Sequence, residues 1–355
     1  MARKKLKCKT FMLPDGTRKY IYGKTQKEVD EKYIQARLEM NAGVDLKNRE
    51  TFGEFAQMWF TTFKKDRVTP RVADQIKRNI NIHLMPHLCA YRMRDITPMM
   101  CANVFAAMTK AGKGEDLQRK VYQIMRAIFS VAVENGVIYK SPVTSSVQPG
   151  GKKSKKKKAL TVAQTNALKA TVKGRDIEPF VAIVLSTGLR KGEALGLQWD
   201  DVNMSRMELT IRHGLHWENN NQGEIVDYLK SDAAYRTVPF GEDALNQFRK
   251  LWAQRDGSNV FHGRDGAPLS HGQFRGMWKA TEELGIKDLT PHTLRHTAVT
   301  NWIKSGLDVK EVQYLAGHAT AQVTLDIYAD YLAECRYEET RKKVQNEKAE
   351  ASASA

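Results

Sequence analysis

Apolar positions along the chain follow two periods, and the places where the period changes mark out its parts. From Thr51 to about Val147 the spacing is helical throughout. "TFGEFAQMWFTTFKK" puts Phe52, Phe55, Met58, Trp59 and Phe63 on one face, the stripe of a helix packed on a core. "TPRVADQIKRNINIHLM" starts with Thr69 as cap and Pro70 at the first helical position, and "TPMMCANVFAAMTKA" repeats that opening. "DLQRKVYQIMRAIFSVAVENG" is the longest helical pattern and ends at Asn135-Gly136. Before this region, "LKCKTFML" and "RKYIYG" flank "PDGT", a turn between β-prone segments that predicts a hairpin. A helix follows, with Thr25 as cap, Val29, Tyr33, Ala36 and Met40 at helical spacing, and Gly43 as stop. Such a basic hairpin on one helix suits either contact with DNA or a structural cap on the next domain.

Past Leu160 the periods mix. "TVAQTNALKATV" and "IEPFVAIVLSTGLRKGEALGLQ" are helical, "MELTIRHGLHW" and "GEIVDYLKSDAAYRTVPF" are β-like around polar turns, and helices resume from Gly241. Between the two regions lies "QPGGKKSKKKKAL". Pro149, Gly150, Gly151 and mutually repelling lysines predict an extended, unpacked linker. The fold class is therefore multidomain, mainly α with small β-sheets. Its parts are a hairpin-plus-helix unit over 1–45, a helical domain over 51–147, a basic linker over 148–158, an α+β domain over 159–340 and a tail over 341–355.

Charge changes the picture most. Lys and Arg number 57 against 40 Asp and Glu, a net charge of +17, which favours a polyanionic partner, chiefly nucleic acid and less so an anionic membrane surface. Lys77, Arg78, Arg119, Lys120 and Arg126 offer basic faces on the helical domain, and Lys152, Lys153 and Lys155 would track phosphates from the linker. No apolar run is long enough to span a bilayer, and "MARKKLKCKTF" lacks a signal-peptide core. Cys8, Cys89, Cys101 and Cys335 are scattered without a C-x-x-C pair, which argues against a zinc site or disulfide framework and for a reducing cytosol.

Four segments carry chemistry. In "STGLRKGEALGL", Gly188 interrupts an apolar helix just before Arg190, and Glu193 falls on the same face as Arg190, able to orient its guanidinium. In "DYLKSDAAYRTVPF", Lys230 sits where a β-segment meets a polar turn. In "LTPHTLRHTAVTNW", Thr290 caps, Pro291 begins a helix, and His292 and Arg295 lie one turn apart. His292 and His296 are spaced like metal ligands, but Thr293 stands where a zincin carries its glutamate. In "LAGHATAQVTLDIYADY", Gly317-His318 ends a helix, and Tyr328 or Tyr331 is either a helix-face aromatic or a nucleophile. Two arginines, a lysine, histidines and a tyrosine are an inventory for phosphoryl transfer without metal. Arginine forks match phosphate oxygens, and cations make a phenol a better nucleophile.

This set and order, in "TGLRKGE", "LKSDAAYRTVP", "HTLRHTAVT", "LAGH" and "TLDIY", resembles the tyrosine recombinases, or phage-type integrases. The resemblance implies an AP2-like arm-binding domain over the first 45 residues, a SAM-like core-binding domain over 51–147, and a catalytic domain from about 159 to 340. It carries the family's catalytic positions onto Arg190, Lys230, His292, Arg295, His318 and the nucleophile Tyr328. Glu193 and His296 become supporting residues, Arg236 of "RTVP" joins the DNA contacts, Tyr331 is set aside, and Tyr314 reads as core. It also implies a 3′-phosphotyrosine intermediate with no metal, ATP or other cofactor. The implied partners are double-stranded DNA at core and arm sites, a homotetramer on that DNA, and accessory bending or excision proteins, in a bacterial cytoplasm without membrane contact. The competing classes are a type IB topoisomerase, a catalytically inactive DNA-binding regulator and a metal nuclease built on the histidines.

Overall fold

Strands β1 (Lys7–Met12) and β2 (Arg18–Gly23) pair antiparallel around the Pro-Asp-Gly turn, with Thr10 opposite Tyr20 and Cys8 opposite Tyr22. Gly16 takes the left-handed φ of 78° that this turn requires. Alternation along the strands turns Phe11 and Ile21 inward, against Tyr33, Ala36 and Met40 of α1 (Gln26–Asn41). Thr25 caps α1 by accepting from the Glu28 amide at 3.2 Å. Tyr20 and Tyr22 stay about half exposed, their rings stacked 6.4 Å apart.

In this computed structural model the described residues are 6–153, 158–217, 222–227, 232–263, 266–329 and 331–333. Lys155, Lys230 and the expected amphipathic tail helix lie outside them. The chain divides into two compact units, Met1–Lys155 and Lys156–Ala355.

In the first unit, Arg94 ties the N-terminal element to the helical region through the Leu46 carbonyl and Glu39. Helix α2 (Phe52–Phe63) opens with a reciprocal Thr51–Glu54 cap and buries Phe52, Phe55 and Trp59. Met58 is exposed instead, because the stripe passes through Ala56. Helix α3 (Pro70–Asn79) runs through a π-helical turn, Ile80–Leu84, into α4 (Met85–Leu88). Ile80 and Leu84, at the two ends of that turn, are both buried in the core of this region. Helices α5 (Pro98–Lys110) and α6 (Glu115–Glu134) complete the bundle.

The start of the expected linker is not unpacked. The Gly150 amide donates to the buried Gln118 side chain at 2.9 Å, and the Glu115 amide donates to the Lys152 carbonyl at 3.1 Å. A Cβ on Gly151 would lie 2.5 Å from the Lys113 carbonyl. Glycine there lets the backbone close onto α6, a use of Gly-Gly that composition alone reads as slack.

The second unit begins with α7 (Val162–Val172), α8 (Glu178–Thr187) and the short α9 (Lys191–Leu195). Strands β3 (Val202–Asn203), β4 (Glu208–Ile211), β5 (Gly214–Trp217), β6 (Gly223–Val226) and β7 (Arg236–Pro239) follow. They form an antiparallel sheet in the order β3-β4-β7 and a separate β5-β6 hairpin. Helices α10 (Glu242–Ala253), α11 (His271–Trp278), α12 (Pro291–Lys304), α13 (Val309–Ala316) and α14 (321–329) come last. Apolar on most sides, α8 packs against both α10 and α12. It thereby places the Gly188 turn beside the middle of α12.

Candidate active site

Three arginines from three elements meet at the C-terminal end of α13. Arg190 is the N-cap of α9, Arg295 lies on α12 and Arg236 begins β7. Their guanidiniums donate to three consecutive carbonyls: Arg236 Nε to Leu315 at 2.7 Å, Arg295 Nη2 to Ala316 at 2.5 Å, and Arg190 Nη2 to Gly317 at 2.5 Å. The last carbonyls of a helix lack intrahelical partners and carry its negative dipole end, so cations there satisfy both needs. Gly317 stops the helix with φ 62°, and its amide and that of His318 bond back to Tyr314 and Gln313. At the other end, the Asp308 carboxylate accepts from the Lys310 and Glu311 amides.

One carboxylate serves all three cations. Glu193 accepts from Arg190 Nη1 at 2.5 Å and from Arg236 Nη2 at 2.9 Å, and stands 4.0 Å from Arg295. Burial pushes this carboxyl up, but the Arg236 and Arg190 guanidiniums outweigh it and hold it below the usual carboxylate range. Arg295 also donates to the Gly188 carbonyl at 2.9 Å. Burial first, and then the Arg190 charge, pushes Arg295 down to about 9, still protonated at neutral pH.

His318 is buried, with Nδ1 2.9 Å from the Thr324 hydroxyl. Burial, then the Arg295, Arg190 and Arg236 charges, pushes its imidazole down to about 4, so the ring is neutral at physiological pH. When Nδ1 accepts from Thr324, the ring proton is on Nε2, which becomes a donor. Thr324 was not singled out in the sequence, although it opens the "TLDIY" run and lies one helical turn before Tyr328.

The other predicted residues distribute as follows. His292 is on the exposed side of the first turn of α12, and His296 is half-buried with Nδ1 3.3 Å from the Thr300 hydroxyl. Tyr328 on α14 is half-buried against the small cluster of Val299, Ile303, Val312 and Ala316, which Tyr331 also touches. Tyr314, expected in the core, is instead 55% exposed, its hydroxyl accepting from the Thr237 amide at 3.3 Å. Lys77, Arg78, Arg119, Lys120, Arg126, Lys152 and Lys153 are all exposed, with Arg119 paired to Glu115.

Arg236 corrects an expectation. Expected among the DNA contacts, it has no exposed side-chain surface and is bonded to Glu193 and two carbonyls. The sequence held a signal for this: Arg236 is in phase with Val238, and both turn inward from β7.

Comparison with known proteins agrees with this architecture. The model of the phage integrase family matches residues 153–334, and that of the phage integrase central domain matches 52–147. A tyrosine recombinase XerC-like protein of Caldanaerobacter subterraneus subsp. tengcongensis is 23% identical over 343 residues, covering 88% of this chain and 87% of that protein. The Tn1549 transposon integrase, solved with a circular intermediate DNA, superposes with a TM-score of 0.71 at 21% identity, over 82% of this chain and 99% of that one. A lambda integrase tetramer bound to a Holliday junction superposes with a TM-score of 0.62 at 16% identity, over 91% and 92% of the two chains. The chain belongs to the phage integrase family, the tyrosine recombinases. It is a site-specific recombinase that breaks and rejoins DNA. No helix among the described residues is long and apolar enough to cross a membrane.

Proposed function

We propose that Tyr328 is the nucleophile of a mobile-element integrase. Its phenolic oxygen attacks the scissile phosphorus, forming a 3′-phosphotyrosine as the bond to the 5′ oxygen breaks. Arg190 and Arg295 neutralise the phosphate, His292 and His318 help to hold it, and Lys230 protonates the departing 5′ oxygen. A 5′ hydroxyl from the partner duplex then attacks the phosphotyrosine, releasing the phenol and joining the strands. The phosphoester is exchanged and never hydrolysed, so neither ATP nor metal enters the balance.

The carrying observation is the arginine cluster. Three guanidiniums against the single Glu193 carboxylate leave two formal positive charges in a largely buried site, preorganised for a phosphorane rather than assembled on demand. A neutral His318 donating from Nε2 adds a hydrogen bond without a further charge.

DNA engagement follows the same reasoning. The exposed strand face with Tyr20 and Tyr22 suits an arm-type duplex site, and the exposed Lys77, Arg78, Lys120, Arg126, Lys152 and Lys153 suit core-site phosphates. Exchange between two duplexes requires two pairs of cleavages, hence a homotetramer on DNA, as in the lambda integrase assembly. Likeness to a transposon integrase favours a mobile element, with accessory bending or excision proteins setting direction.

The test is a duplex carrying a nick beside the cleavage site, from which the cut fragment diffuses away and traps the covalent adduct. Tyr328→Phe is expected to abolish the adduct and Tyr331→Phe to retain it. Persistence of the adduct in Tyr328→Phe would sink the assignment.

A further inference from the structure

Arg236 is a buried cation that the reaction above does not use. Its guanidinium is fully enclosed, yet bonded on all sides: Nε to Leu315 O at 2.7 Å, Nη1 to Ala234 O at 2.8 Å, and Nη2 to Glu193 at 2.9 Å. Burying a charge is strongly unfavourable unless it is paired and hydrogen-bonded throughout, and an apolar side chain of similar volume is often as stable or more so. The bonds Arg236 makes therefore define what it holds. One fixes Glu193, the carboxylate that orients Arg190. Another fixes the end of α13, the backbone that delivers His318.

Gly317 supplies an independent observation. A Cβ at this position would lie 2.6 Å from Arg236 Nη1 and 2.7 Å from its Cζ. The turn that aims His318 is thus laid directly against the Arg236 guanidinium, and only glycine allows that approach.

We infer that Arg236 is a positioning residue for strand cleavage, clasping Glu193 and the Gly317–His318 turn into the one arrangement in which Arg190 and His318 meet the phosphate together. It acts through these groups and does not touch DNA. The inference rests on the phosphate-binding roles proposed for Arg190 and His318, because without those roles the clasp would be structural only. A misplacement of about an ångström in such a site slows chemistry by roughly a hundredfold while leaving binding intact.

The experiment uses the full chain and the nicked duplex at saturating concentration, under single turnover, with wild type and Tyr328→Phe as controls. Arg236→Gln is expected to form adduct roughly a hundredfold more slowly with duplex Kd changed by less than about threefold. Gly317→Ala, which pushes on the same guanidinium, is expected to show the same split. The double variant is expected to be no slower than about the slower single, since both disturb one clasp. A second substrate, with sulfur replacing the 5′ leaving oxygen, needs no proton on its leaving group. The Arg236→Gln defect should persist on it, because phosphate binding and not leaving-group protonation is impaired.

An adduct rate for Arg236→Gln within about threefold of wild type would overturn the inference. Multiplicative losses in the double variant, or full rescue by the bridging sulfur, would also overturn it. Should Arg236→Gln not fold, Gly317→Ala decides alone: slow chemistry at unchanged Kd supports the clasp, and wild-type chemistry refutes it. Adduct formation by Tyr328→Phe would instead refute the nucleophile assignment, whatever the Arg236 variants do.

Discussion

His318 sits where burial and three arginines all disfavour its charged form, which holds its pKa at about 4. The unfolded chain, with an imidazole pKa of about 6.5, takes up the proton first as pH falls. Stability from this residue is therefore level above pH 6.5 and declines from there towards pH 4, by at most about 3 kcal/mol. Urea midpoints at pH 7 and pH 4.5 check this: wild type should lose more stability across the interval than His318→Asn, and equal losses would contradict it. At this scale the sequence was informative where roles are local. Thr25, Thr97 and Thr290 cap the helices they precede, each accepting from an amide three residues on. It was uninformative where a role needs a partner far along the chain. Nothing local says that Glu193 meets Arg236, because folding alone makes that pair.

Helix α13 is compensated at both ends, by the Asp308 carboxylate at its start and by three guanidiniums at its finish. The end of α8 is the matching element. Gly188 turns with φ 61°, its carbonyl accepts from Arg295, and a Cβ there would lie 2.7 Å from Trp302 Cη2. Gly188→Ala combines a disfavoured backbone conformation with overpacking, and should destabilise the second unit by about 2–3 kcal/mol. It should also slow adduct formation, since the ring it displaces shares α12 with Arg295. A denaturant midpoint equal to that of wild type would contradict this account. Periodicity located these helices well, because an apolar stripe is a property of each segment. It could not locate the π-helical turn at Ile80–Leu84 or the packing of Gly150 and Gly151, since both are set by contacts between segments.

Across the whole molecule, the net charge of +17 is the property most directly tied to DNA. A protein making six to ten phosphate contacts loses roughly 10³–10⁵ in affinity between 50 and 200 mM salt, through counterion release. Duplex affinity measured over that range should fall at least about a thousandfold, and a shallow dependence would mean that the exposed lysines and arginines face solvent rather than phosphate. Charge was readable from composition, and the phase of Arg236 with Val238 marked an inward side chain, whereas the Glu193 carboxylate and Leu315 carbonyl that pair with it lie far along the chain and were not readable. The central claim concerns one bond. It is tested most directly by trapping the full chain on the nicked duplex in EDTA, digesting the adduct and locating the attached nucleotide by mass spectrometry. The account predicts the nucleotide on Tyr328, with adduct yield unaffected by the chelator. Attachment to Tyr331 or another residue, or loss of the adduct in EDTA, would contradict it.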